Sequence, residues 1–139
     1  MRLDKFVSLC SGLSRTDTKK EIAKGAVKIN GQVNTQAKTQ VKENKDEILL
    51  LNQVLTYRKN IYILMNKPQD VICAAEDKRH RTVLDLLTLE MSHRKPHSVG
   101  RLDIDTTGMV LLTDDGQWSF QISSPKKKCA KIYEVITAE

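Results

Sequence analysis

The sequence has few aromatic residues, few cysteines and no long apolar segment. Only 4% of its 139 residues are aromatic, and it contains six glycines and three prolines. No segment has the roughly 18 uninterrupted apolar residues that a membrane helix requires. Together with the low glycine and proline content, this excludes membrane-spanning, collagen-like and low-complexity proteins. The three cysteines, Cys10, Cys73 and Cys129, are odd in number and widely spaced. Because the N-terminus also lacks a signal-peptide core, we expect a cytoplasmic protein.

Positive charge is abundant and unevenly distributed. The chain has 23 lysines and arginines against 17 acidic residues, a net charge of +6. Residues 1–59 contain 12 basic and 6 acidic residues and so account for the whole excess. This predicts a basic module at residues 1–58 and a neutral module at 59–139. A basic face most often binds RNA, DNA or anionic lipid, and the alternative is a solvated surface that keeps the protein soluble.

Apolar spacing and turn residues predict two helices and a small sheet in the basic module. The first helix should end at Ser11-Gly12, and Ser14 should cap a second helix with Ile22 and Ala23 facing inward. Asn30-Gly31 is a strong hairpin signal. We predict strands at residues 27–29, from Val33, at Val41 and at 48–51, followed by a linker at residues 52–60.

The neutral module is predicted to mix strands and short helices. Residues 61–67 form a nearly continuous apolar run that predicts a strand buried on both faces. We also predict strands at 71–73, 110–112 and 132–136, a helix capped by Thr82 over 83–87, an extended segment at 96–100 and a short helix at 118–122. The absence of a regular crossover rhythm favours an α+β fold.

Three interpretations are open for the acid-rich segment 100–116, which precedes a predicted buried strand. Asp103, Asp105 and Asp114 have the spacing of a calcium loop, although Pro96 and Gly100 prevent an entry helix. A structural turn with aspartates capping their own backbone is the ordinary alternative. The third interpretation is a carboxylate presented beside arginine for chemistry. A zinc site at His93 and His97 is disfavoured because Pro96 lies between them and no cysteine is near.

Two motifs resemble known families. Residues 2–6, Ser14-Arg15 and 22–31 resemble the S4 RNA-binding domain, in which a helix pair binds the phosphates of folded RNA. Residues 100–116, with Asn66-Lys67-Pro68 and Lys131-Ile132-Tyr133, resemble the pseudouridine synthases, in the branch that carries an S4 domain and modifies ribosomal RNA. Residues 115–119 and Ser124-Pro125 are most similar to the small-subunit enzymes of that branch.

The resemblance implies a specific set of site residues. Asp103 would be the essential aspartate, Arg101 the arginine near it, and Tyr133 the tyrosine that packs against the target uracil. It implies an isomerisation of uridine in 16S ribosomal RNA, free or within an assembly particle, by a monomer that needs no cofactor or metal. Conversely, the chain could be a non-catalytic S4-type RNA-binding protein or an inactive fragment that binds ribosomal RNA. Expected RNA contacts are Arg2, Lys5, Arg15, Lys19, Lys20, Lys24, Lys28 and Lys67, and the Lys126–Lys128 run is either a phosphate contact or a solvated loop.

The resemblance also implies further sequence beyond the tyrosine motif. Members of the family continue past that motif with additional strands, whereas this chain stops at Glu139. We therefore expect the chain to be part of a longer protein, and to lack part of the catalytic sheet.

Overall fold

The computed structural model describes residues 1–138, which form two modules with separate apolar cores. The combination of short helices with mainly antiparallel sheets confirms the α+β prediction. Among the described residues, no helix is both long and apolar enough to cross a lipid bilayer.

Two short helices open the first module. Helix α1 spans Leu3–Ser11 and ends at Gly12, whose φ of 76° is left-handed and thus favours glycine. Helix α2 spans Arg15–Ala23. The Ser14 hydroxyl accepts the Asp17 amide N–H at 3.1 Å and donates to the Asp17 carboxylate at 2.6 Å. The predicted cap and helix boundary are therefore confirmed.

An antiparallel sheet completes this module. Its strands are β1 (Val27–Ile29), β2 (Gln32–Val33), β3 (Ile48–Leu50) and β4 (Gln53–Val54), in the order β2-β1-β3-β4. Asn30 and Gly31 both have positive φ, which confirms the predicted hairpin. Leu51 and Asn52 form a second such turn, with φ of 49° and 64°. The strand predicted at Val41 is wrong, because Val41 is a core residue beside a single bridge between Arg2 and Gln40.

The linker prediction for residues 52–60 is wrong over most of its length. Residues 53–54 form β4, and Leu55 and Tyr57 pack against the first core. The Tyr57 ring stacks on Phe6 with centroids 5.9 Å apart. Ile22 is fully buried as predicted, but Ala23 is exposed. The irregular connection between the modules is therefore only a few residues long, around residues 58–60.

The second module contains two small sheets. Strands β5 (Tyr62–Lys67), β8 (His97–Val99) and β9 (Gly108–Thr113) form an antiparallel sheet in the order β5-β9-β8. Strands β6 (Val71–Ile72) and β7 (Arg81–Thr82) form a parallel pair. Helix α3 spans Leu89–His93 and helix α4 spans Gly116–Ser123. The helix predicted over residues 83–87 is only a 3₁₀ turn at Val83–Leu86, because Leu87 is extended and Thr88 caps α3.

Strand β5 is buried on one face only. Lys67 is buried and Ile63 and Met65 pack toward the second core, whereas Tyr62 and Leu64 are 54% and 67% exposed. The prediction of burial on both faces is therefore wrong, since side chains alternate along a strand and only one face of this sheet meets the second core.

The strand predicted at residues 132–136 is wrong. This segment is irregular, and Ile132 and Ile136 are 97% and 90% exposed. Alternating apolar residues form a stable strand only when a neighbouring strand accepts their backbone hydrogen bonds, and no strand in the described part of the chain does so.

Candidate active site and RNA-binding face

Residues 100–107 form the loop that joins β8 to β9, and its side chains alternate between the core and solvent. Leu102 packs against the second core, and Ile104 is also half-buried. Arg101, Asp103 and Asp105 are exposed. Because apolar side chains anchor the loop from below, its charged side chains are held on the outer surface. The described ion pairs do not include one between Arg101 and Asp103.

Backbone hydrogen bonds fix this loop around Asp103. The Asp103 carbonyl accepts the Thr106 amide N–H at 3.0 Å, closing a turn. The Ile104 carbonyl accepts the Asp70 amide N–H at 2.9 Å. On the other side, the Leu102 amide N–H donates to the Cys73 sulfur at 3.4 Å. The position of the Asp103 backbone is therefore set from both directions along the chain.

Lys67 is placed inside the module and not on an RNA-binding surface. It is fully buried, and its ammonium donates to the carbonyls of Pro68, Val71 and Ile104 at 2.8, 2.7 and 3.3 Å. Three carbonyls match the three N–H groups of a lysine, which compensates for burying the charge. The expectation that Lys67 contacts phosphate is therefore corrected, because its donors instead bind two carbonyls just after β5 and one carbonyl, that of Ile104, in the loop that carries Asp103.

A pocket of about 690 Å³ opens beside the loop. Its volume lies within the range of small-molecule sites in proteins. Its apolar lining includes Val99, Leu102, Leu111 and Ile122, and its polar lining includes Arg101, Lys131 and Tyr133. Asp103 lies one residue beyond Leu102 but is not among the lining residues. Arg101 and Tyr133 are thus brought to one pocket, with Asp103 on the loop that borders it.

Lys131 is a pocket residue that the sequence-based site prediction omitted. Its ammonium lies over Gly100, so that a Cβ added to Gly100 would be 2.9 Å from it. The available signal was the spacing of Lys131 and Tyr133, since residues two apart in an extended segment point to the same side. Tyr133 itself is 61% exposed and lies on an irregular segment, not on the predicted strand.

The calcium interpretation is contradicted by the position of Asp114. It lies beyond the far end of β9, whose six residues span about 20 Å. Its carboxylate there binds Arg94 and the amide N–H of Ile61. Among residues 1–138, no group of three or more His, Cys, Asp and Glu side chains is arranged to hold a metal ion.

The two histidines considered for zinc have separate partners. His93 Nε2 lies 3.3 Å from the Ser8 hydroxyl, and His97 Nε2 lies 2.7 Å from the Ser119 hydroxyl. The two imidazoles therefore contact serines on different helices, α1 and α4.

Most of the expected RNA contacts lie on the surface of the first module. Arg15, Lys19, Lys20 and Lys24 are exposed on α2 or at its end. At about 100° per residue, these four side chains spread over roughly half the helix circumference and do not share one flank. Lys20 pairs with Asp17 at 3.4 Å and Lys24 with Glu21 at 2.9 Å. Lys5 is exposed on α1, and the Lys28 ammonium donates to the Asn52 side-chain carbonyl at 3.1 Å.

A buried carboxylate joins Arg2 to Arg15. Asp4 is fully buried, and its oxygens lie 2.8 Å from Arg2 and 3.4 Å from Arg15. Burial opposes ionisation of the Asp4 carboxyl, but the hydrogen bonds and charge of Arg2, with the charge of Arg15, hold its pKa below the ordinary value. The two arginines are therefore oriented by the fold while remaining partly exposed.

Two family models match the chain. The model of the RNA pseudouridylate synthases matches residues 61–139, and the S4 domain model matches residues 1–48. The S4 match covers α1, α2 and the first strands, and the synthase match includes the pocket and the loop of Asp103.

Curated relatives match along almost the whole chain. The chain is 44% identical over 140 residues to the ribosomal small subunit pseudouridine synthase A of Haemophilus influenzae, covering 100% of this chain and 60% of the relative. It is 44% identical to the uncharacterized RNA pseudouridine synthase YtzG of Bacillus subtilis, covering 97% and 56%. The corresponding Escherichia coli synthase A is 41% identical, with coverage of 97% and 58%. The chain thus spans somewhat more than half the length of these relatives.

A solved structure described as a pseudouridylate synthase is 42% identical to the chain. It aligns over 91% of this chain and 54% of its own length, with a TM-score of 0.46.

Proposed function

The chain belongs to the RNA pseudouridylate synthase family, and we propose that the protein converts a specific uridine of 16S ribosomal RNA into pseudouridine. The observation that carries this proposal is the family match over residues 61–139, within which an exposed Asp103 borders a pocket lined by Arg101 and Tyr133. The small-subunit substrate is supported by the names of the relatives from Haemophilus influenzae and Escherichia coli.

Asp103 is proposed as the catalytic carboxylate. The isomerisation breaks the bond between uracil N1 and ribose C1′, rotates the detached uracil, and joins its C5 to C1′. N1 gains a proton and C5 loses one, so no atom is added or removed overall. These steps need a carboxylate near the sugar or the base, and the substrate supplies the remaining atoms. An exposed aspartate on an anchored loop meets that requirement.

The pocket is proposed to receive the uridine after it leaves the RNA stack. Flipping a nucleotide costs a few kcal/mol, which contacts in the pocket must offset. The Tyr133 ring offers a face against which uracil can pack, and the Arg101 guanidinium offers donors to the displaced strand or phosphate. Because Asp103 lies on the pocket's border, the ribose of a uridine held in the pocket is expected nearer to it than the base.

The first module is proposed to anchor the substrate without reading its bases. Its S4 match and exposed lysines and arginines suit contacts to phosphates, which position RNA and release counterions. We propose that the protein acts in the cytoplasm as a monomer, on free 16S RNA or on a small-subunit assembly particle. The module boundary is proposed near residue 58, and the start of the synthase match at Ile61 supports this proposal.

Tritium release from C5-labelled uridine in unmodified 16S RNA tests the proposal. We expect the protein to release tritium and Asp103→Asn to lower the rate by about 10³-fold or more, since the carboxylate acts on the reacting atoms. Asp105→Asn is the matched control, because Asp105 is exposed on the same loop. It should retain activity within roughly threefold.

Two results would contradict the proposal. Full turnover by Asp103→Asn would remove the assigned role of that carboxylate. RNA binding without any tritium release by the unmutated protein would instead favour a non-catalytic S4-type RNA-binding protein or an inactive fragment that binds ribosomal RNA.

A further inference from the structure

The two modules make direct contact where α1 meets α3. The Ser8 hydroxyl on α1 lies 3.3 Å from His93 Nε2 on α3. At the end of α1, the backbones approach so closely that a Cβ added to Gly12 would be 3.0 Å from the Cα and amide nitrogen of Glu90. Such an approach leaves no space for a larger residue, so Gly12 both ends α1 and permits this packing.

Arg94 follows α3 and connects this contact to the rest of the second module. Its side chain is only 8% exposed. The guanidinium donates to the Asp114 carboxylate through Nε at 2.8 Å and also approaches it through Nη2 at 2.6 Å. It also donates to the carbonyls of Arg58 and Lys59 at 2.6 and 2.7 Å. One side chain thus binds the end of β9 and the chain segment that leaves the first module.

Asp114 completes the arrangement from the other side. Its second carboxylate oxygen accepts the amide N–H of Ile61 at 2.8 Å. Residues 58, 59 and 61 are therefore all held by one ion pair. Without it, these backbone groups would be free to exchange with water and the connection would behave as a short flexible tether. The side chains of Arg94 and Asp114 are only 8% and 18% exposed, so removing one partner leaves the other partly desolvated without its countercharge.

Cys10 lies close enough to Arg94 and Glu90 for both charges to affect it. Burial raises the pKa of the Cys10 thiol to about 11, with Arg94 lowering it and Glu90 raising it by smaller amounts. The thiol is 9% exposed and belongs to the first core. Cys10 lies two residues before Gly12, the position at which α1 meets the α3 backbone, so separation of α1 from α3 is expected to increase its exposure.

We propose that Arg94 is a positioning residue that, with Asp114, fixes the RNA-binding module relative to the loop of Asp103 before RNA arrives. The proposal rests on the proposed function, since its purpose is to hold an anchored RNA in a set relation to the active site. A fixed arrangement of two binding surfaces avoids the ordering cost that a flexible tether incurs on binding. Loss of the Arg94–Asp114 pair is therefore expected to weaken the binding of RNA that contacts both modules.

Alkylation of Cys10 by N-ethylmaleimide, followed by peptide mapping, measures the junction directly. We expect Arg94→Gln to increase the Cys10 labelling rate by about tenfold or more, because local opening exposes the thiol. Labelling of the exposed Cys129 should not change. Lys95→Gln is the matched control, since it removes the same charge from the neighbouring exposed position. A Cys10 rate equal to that of the unmutated protein in Arg94→Gln would overturn the proposal.

Amide hydrogen exchange distinguishes opening of the junction from unfolding of the first module. Protection of Val27 and Ile48, which lie in the first core, should persist in Arg94→Gln. If that protection is lost, Arg94→Lys decides the question, because lysine can pair with Asp114 but cannot reach both carbonyls as well. If Arg94→Lys labels Cys10 at an intermediate rate while Val27 and Ile48 keep their amide protection, the positioning role of Arg94 is supported. Labelling of Arg94→Lys at the unmutated rate contradicts it.

The partnership with Asp114 and the effect on RNA are tested separately. Asp114→Asn should raise the Cys10 labelling rate as Arg94→Gln does, and the double variant should label little faster than either single variant. Additive increases would show that Arg94 and Asp114 do not act as one pair. Binding of 16S RNA by Arg94→Gln should weaken about three- to tenfold with an unchanged salt slope, because the residues that bind phosphate are all retained. Failure of the unmutated protein to bind RNA would contradict the proposed function and leave the labelling result standing.

Discussion

Gly100 meets two separate constraints at the start of the loop that carries Asp103. Its φ of 81° lies in the left-handed region, and the Lys131 ammonium occupies the space where a side chain would begin. Gly31 has nearly the same φ, 84°, but nothing lies within 4 Å of an added Cβ. Comparing a substitution at Gly100 with the same substitution at Gly31 therefore separates the effect of backbone strain from the effect of crowding in the pocket.

We expect Gly100→Ala and Gly31→Ala to lower the free energy of unfolding by a similar amount, about 1–2 kcal/mol, through left-handed strain. Only Gly100→Ala should reduce tritium release, because it displaces Lys131 from the pocket. Urea denaturation measures the first effect and the C5 tritium assay the second. Equal activity of the two variants would show that the position of Lys131 does not affect the reaction.

At the scale of the element, α1 depends on the acid in its first turn. Asp4 binds Arg2 and Arg15, and its pKa lies below the ordinary value of 3.8 despite burial. A carboxylate whose pKa is lower in the folded state contributes stability above its unfolded pKa and loses it as the pH falls through the folded value. The helix macrodipole adds in the same direction, because the charge lies near the N-terminus.

We expect the free energy of unfolding of the unmutated protein to fall steadily as the pH drops below about 4. Asp4→Asn should be less stable at pH 7, and its free energy of unfolding should change less over the same pH range. Denaturation midpoints measured between pH 7 and pH 3 test the expectation. If the midpoints of the two proteins changed in parallel with pH, ionisation of Asp4 would not contribute to the pH dependence of stability.

Elements whose signals are local were predictable from the sequence, and those that depend on distant partners were not. The cap at Ser14, the turn at Asn30-Gly31 and the end of α1 all follow from neighbouring residues. The segment at 132–136 has the alternation of a strand but no partner among the described strands. Likewise, the apolar run of β5 could not reveal that only one of its faces meets a core.

The same division applies to the candidate site. Arg101, Asp103 and Tyr133 could be proposed from motifs, because each motif is a short local string, and their catalytic roles stay predictions. Lys67 was misplaced because its three carbonyl partners come together only when Ile104 folds back against the strand end. Arg94 was not singled out, since its partners lie 20 and about 36 positions away in the chain.

At the scale of the whole molecule, the excess positive charge and the proposed catalytic carboxylate lie in different modules. Residues 1–59 carry the full excess of +6, while the pocket and Asp103 belong to the neutral module. Phosphate contacts contribute affinity that falls as the salt concentration rises. Contacts in the pocket instead place the reacting nucleotide relative to Asp103. Changes to the two modules should therefore affect different measurements.

Replacing Lys19, Lys20 and Lys24 together with glutamine should weaken 16S RNA binding and lower the magnitude of its salt slope by about one for each phosphate that the variant no longer binds. The matched comparison is the triple replacement of Lys126, Lys127 and Lys128, which removes the same charge from the second module. Binding measured between 50 and 200 mM salt, a range over which phosphate contacts change affinity by about 10³-fold or more, resolves the difference. A larger loss for the first triple would locate the anchor on α2, whereas equal losses would show that net charge alone determines affinity.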